Sequence, residues 1–196
     1  MTDWFRNGEW DECIEAAFDA RLARARGKAQ YLNIQAYTLL ATRPDVAASL
    51  ARRAMAIGDP AETARAGLYL GTALAIAGDL DGAIEALEGA IEVQRLEPLH
   101  RTAAHLDQAL LIALAERADL YDVALDRLAG ESALPTGERD PTGLIAESLI
   151  RADRGEDMSD LAAAAVEFLS GGPDAESILP PYLLPAELRR RLKSAA

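Results

Sequence analysis

Apolar positions return every three or four residues along the chain, in Ile14-Ala17-Phe18, Leu50-Ala54-Ile57, Leu70-Leu74-Ala77, Ile84-Leu87-Ile91 and Leu110-Leu114. That spacing lines one face of a helix, whereas the period-two alternation of a half-buried strand is never sustained. Turn-forming residues interrupt the pattern at Gly27, Thr42 to Pro44, Gly58 to Pro60, Gly78-Asp79, Pro98, Gly130, Pro135 to Pro141, Gly155 and Gly171 to Pro173. The segments between them are a few helical turns long, so the fold class reads as all-α, built from short antiparallel helices.

The pattern also repeats on a longer scale. Residues 64–97 read ARAGLYLGTALAIAGDLDGAIEALEGAIEVQRLE, with Leu70-Gly71 and Leu74 in a first helix, a Gly78-Asp79-Leu80 turn, and Ala83, Leu87 and Ala90 in a second. Small residues at Gly71 and Ala83 let two helix axes approach, while the leucines fill the space around them. Small anchors return at Cys13, Ala47 and Ala124, and the second-helix start at Leu161. That interval is one helix hairpin. This stretch resembles a tetratricopeptide repeat, most closely over 64–97. The resemblance implies a right-handed α-solenoid of about five irregular hairpins over 1–174. Its front unit is truncated and covered by Trp4, Phe5 and Trp10.

Residues 175–196 form a separate tail, with an apolar stretch punctuated by Pro180, Pro181 and Pro185, and then a short basic helix carrying Leu188 and Leu192. Proline forces the first part to run extended. The tail reads as a cap on the last hairpin, because terminal repeats need cover; the alternative is a segment that docks on an acidic surface.

Composition narrows the chemistry. The longest run free of charged residues, Ala29 to Thr42, is too short to span a bilayer, and the start has no basic-then-apolar leader pattern. With one cysteine there is no internal disulfide framework, and a reducing, cytoplasmic setting is the expectation. The net charge of −12 is unevenly spread. Residues 21–65 are basic and 140–184 acidic, which leaves room for self-association through complementary charge. An acidic whole makes a regulatory or nucleic-acid-associated protein using the basic region 21–65 the alternative reading, and Arg21, Arg24, Arg52 and Arg53 would carry it.

Catalytic groups are sparse. His100 and His105 fall on different sides of one helix and read as surface residues, and Glu97 with His100 is half of a di-metal motif interrupted by Pro98. Cys13 occupies a small-residue anchor and reads as a buried thiol. There is no phosphate loop, calcium loop or nucleophile elbow. The expectation is therefore a chain with no enzymatic role, metal or cofactor. The resemblance implies instead a concave face, made by the first helix of each hairpin, that holds a peptide or helix of a partner protein. It assigns Leu32, Asn33 and Ala36 from one hairpin and Arg65, Leu68, Tyr69 and Thr72 from the next. The points that clamp a peptide carboxylate in some family members carry Leu32, Ala36, Tyr69, Leu106 and Leu110 here, so the face suits an apolar or amphipathic segment.

Overall fold

The computed structural model describes residues 3–131, 140–156, 159–170, 180–183, 188 and 190–192, and they fall into two compact units, Met1–Ala104 and His105–Ala196. This division differs from the boundary at 174/175 read from the sequence. Among the described residues the chain is helical, with no strand.

The first unit contains α1 (Glu12–Leu22), α2 (Lys28–Leu39), α3 (Pro44–Ile57), α4 (Pro60–Ile76) and α5 (Leu80–Leu96). The helix starts follow from capping chemistry. Asp11, Asp59 and Asp79 each accept a hydrogen bond from a first-turn N–H, at 2.8, 3.0 and 3.0 Å. Those N–H groups have no partner inside the helix, so a carboxylate there stabilises the first turn. Pro44 and Pro60 sit at the first helical position, where the missing N–H costs nothing. After α4, Gly78 adopts a φ of 85°, and the Asp79 N–H reaches back to the Leu74 carbonyl at 3.0 Å. That left-handed turn reverses the chain into α5.

Helix α4 packs on α2, α3 and α5. Its seam with α5 is as close as the small-residue pattern requires: a methyl group added to Gly71 would lie 2.7 Å from the Leu87 side chain and 3.2 Å from the Ala83 carbonyl. One added to Gly67 would lie 2.9 Å from Ala90. The anchors Ala47, Ala51, Ala54, Ala83, Leu87 and Ala90 are all buried. Ala47, Ala51 and Ala54 belong to a core running from Phe18 and Leu22 through Leu32, Leu39 and Leu50 to Leu70.

The front of this unit departs from the pattern. No leading helix precedes α1 among the described residues, and residues 3–10 fold there as an irregular segment. Trp4 meets Phe5 edge-to-face and Phe18 and Tyr31 at a tilt, with ring centroids 4.9–5.5 Å apart, and Trp10 meets Phe18 at 5.4 Å. Gln35, fully buried, fastens the segment to α2: its Nε2 donates to the Asn7 carbonyl at 2.8 Å and its Oε1 accepts from the Asn7 backbone N–H at 2.9 Å. Cys13 is exposed, contrary to the buried thiol expected.

The second unit holds α6 (Ala104–Leu114), α7 (Tyr121–Glu131), α8 (Pro141–Asp153) and α9 (Ser159–Leu169), with a single 3-10 turn at Ala118–Leu120 before α7. Tyr121 ties α7 to α8, donating its hydroxyl to Asp153 at 2.8 Å beneath the Arg154 guanidinium. Burial, with the bond to Asp153, pushes that phenol up to about 12. In α9 the buried positions are Ala162, Ala165 and Leu169, with Leu161 only half-buried, so the anchor falls one residue later than the repeat spacing predicts. Parts of the tail are described: Leu183, Leu188 and Leu192 are buried, and Arg191 lies 3.4 Å from Glu116 and 3.5 Å from the Ala113 carbonyl at the end of α6. Residues 132–139 and the rest of the tail lie outside the described residues.

Candidate functional site

Helices α2 and α4 run side by side, and their sequences place one polar and aromatic stripe on each. On α2, Asn33 and Tyr37 are four residues apart; on α4, Glu62, Arg65 and Tyr69 follow at three- and four-residue spacing. Both spacings keep side chains on one helix face. The stripes meet. Asn33, almost wholly buried, donates from Nδ2 to the Glu62 carboxylate and to the Glu62 carbonyl, both at 2.9 Å. Glu62 in turn holds the Arg65 guanidinium at 3.1 Å. The carboxylate is largely shielded from water, whereas the Arg65 side chain is half exposed.

One turn further along, Tyr37 and Tyr69 pair across the two helices with ring centroids 5.5 Å apart and planes inclined at 41°. Tyr37 is 63% exposed, the most open aromatic ring in the described chain. Tyr69 is half-buried, and that burial raises its phenol pKa, with Tyr37 and Glu62 adding and Arg65 opposing. Tyr69 is therefore a neutral hydroxyl donor at any ordinary pH. Together the two rings and a guanidinium steadied by Glu62 offer flat apolar area, hydrogen-bond donors and one fixed cation. Tyrosine supplies such contact area at a low cost in side-chain entropy.

The residues assigned from the sequence divide at this surface. Arg65 is exposed and Leu68 and Tyr69 are partly open, whereas Leu32, Asn33, Ala36 and Thr72 are buried. The four buried residues present no surface to a partner, and Asn33 is taken up by its bonds to Glu62. Tyr37 was missed; its signal was an aromatic residue four positions after Asn33 on the same helical stripe. Glu62 was missed as well, since nothing in the sequence pairs it with Asn33. Leu106 and Leu110 are buried too.

Of the basic residues, Arg21, Arg24 and Arg52 are exposed, and Arg53 is paired with Asp19 at 2.5 Å. His105 is buried, not a surface residue as expected. Among the described residues no group of three or more histidines, cysteines or carboxylates is placed to hold a metal ion, and no helix is long and apolar enough to cross a membrane.

A second polar cluster lies in the His105–Ala196 unit. Asp107 is buried on α6, and burial with the nearby Asp140 pushes its carboxyl up to about 7. The Tyr182 hydroxyl is buried beside it without a hydrogen-bond partner, and burial raises its pKa well above the usual phenol range.

Neither a protein-family model, a curated protein nor a solved structure matches the chain.

Proposed function

We propose that the chain is a tetratricopeptide-like array of about five hairpins, right-handed where α2 to α5 stack, and that it works as a non-catalytic module for binding protein segments. The observation that carries this reading is the Tyr37–Tyr69 pair, standing open beside the Glu62-bound Arg65 on two adjacent leading helices. Such a face grips an apolar or amphipathic peptide: the rings pack against its side chains while the hydroxyls and guanidinium bond to its backbone carbonyls. The narrow seam at Gly67 and Gly71 supports the repeat reading, since it is the close approach that the small-residue pattern exists to permit. In a cytoplasmic setting, the module would hold one segment of a larger assembly.

The reading is tested with a peptide selected from a random display library against the intact protein. Calorimetric titration of that peptide should give at least a tenfold weaker affinity for a Tyr37→Ala, Tyr69→Ala double variant, with an unchanged circular dichroism spectrum. Two lost aromatic anchors are worth about 2 kcal/mol or more each at the centre of an interface. Equal affinity for the two proteins would remove the face from the account.

A further inference from the structure

The first unit carries an apolar cleft and, elsewhere on itself, an apolar knob. Between the irregular segment and the open face of α1 lies a cleft of about 680 Å³, with Trp4, Ile14, Ala17 and Phe18 as its apolar lining and Asp3 and Arg21 at its edge. The knob is the end of α5 and the turn after it. Leu96 is 75% and Leu99 91% exposed, with Pro98 also in the open between them. Single exposed leucines are ordinary on a protein surface, whereas two on one short protruding turn form a patch that costs free energy in water.

The charges match as well as the apolar parts do. Glu97, exposed between the two leucines, makes no ion pair with any described residue, and neither does Arg21 at the cleft edge. Ile14, Ala17 and Trp4 are the apolar residues the cleft leaves open to an incoming side chain, and a Glu97 carboxylate arriving with Leu96 and Leu99 carries the charge opposite to the Arg21 guanidinium that lines it. We propose that the cleft is occupied by the Leu96–Leu99 turn of a second copy of this chain. The contact is heterologous: the knob and the cleft are different surfaces, so each copy offers one of each. Neither surface includes Tyr37 or Tyr69, so it stands or falls separately from the peptide-binding reading.

The test uses the full chain and two sets of exposed substitutions that leave the core intact. A knob variant carries Leu96→Ser and Leu99→Ser, and a cleft variant carries Ala17→Glu, which places a long carboxylate in the opening. Sedimentation velocity from micromolar to millimolar protein should show the wild-type mass rising beyond one chain, while each variant alone stays monomeric. An equal mixture of the two variants should form a two-chain species and nothing larger, because only one intact knob and one intact cleft remain per pair. Arg21→Glu and Glu97→Arg should each weaken association at least tenfold, and the two together in one chain should restore it. A wild type that stays at one chain throughout would overturn the proposal. So would variants that associate as the wild type does, or a mixture that remains monomeric.

Discussion

At Gly71 one absent methyl group sets the distance between two helices. Gly71→Ala gains roughly 1 kcal/mol of helix propensity, but it drives a carbon against Leu87, which is fully buried and has nowhere to move. Overpacking of that kind costs about 1–3 kcal/mol, so the variant should melt below the wild type. Gly89, in α5, has nothing within 4 Å of the same added carbon, and Gly89→Ala should raise stability by about 0.5–1 kcal/mol. Thermal melts of the two variants check both signs. Asp107 supplies a pH-dependent counterpart. Its carboxyl titrates near 7 when folded, against 3.8 ordinarily, so the folded state holds a proton that the unfolded chain has released. Stability therefore falls as pH rises from about 4 to about 7 and changes no further above that through this group. Asp107→Asn should remove the fall, raising stability at pH 8 by up to about 4 kcal/mol over wild type and little at pH 4. Urea unfolding at the two pH values reads the difference.

At the scale of the element, what the sequence made legible was whatever depends on local spacing. Helix periodicity and glycine or proline punctuation placed the helices, and the small-residue anchors placed the buried stripes of α3 and α5. What escaped depends on a neighbour far away in sequence. Cys13 follows the same small-residue spacing as Ala47 and Ala83, yet it is exposed where they are buried, because spacing along one helix does not settle which neighbours pack on it. A thiol reagent should accordingly modify Cys13 in the native protein at close to the rate found in denaturant. Slow reaction that quickens on unfolding would contradict the exposed placement. Gln35 escaped for the same reason: a buried amide is tolerable only with its polar atoms satisfied, and its partner, Asn7, sits 28 residues earlier. The face proposed for binding was half legible. Arg65, Leu68 and Tyr69 came from the repeat resemblance alone, but the tertiary packing that buries Leu32, Asn33, Ala36 and Thr72 and leaves Tyr37 open was not written in the local pattern.

On the scale of the whole molecule, the two units each gather their own buried residues. The first has a continuous core from Phe18 to Ala73. A fragment ending at residue 103 should therefore fold alone, with a helical spectrum and a cooperative melt, and it contains every residue of the Tyr37–Tyr69 face. The charge asymmetry of the chain acquires a local meaning at this scale too. Part of the basic stretch is already paired, as Arg53 is with Asp19, while Arg21, Arg24 and Arg52 stay open to solvent. The measurement that tests the central claim most directly is an amide chemical-shift titration of the labelled protein with a display-selected peptide. The account predicts that the largest shifts cluster on α2 and α4, at Tyr37, Arg65, Leu68 and Tyr69. Shifts confined to the second unit, or to the exposed arginines Arg21, Arg24 and Arg52, would contradict it.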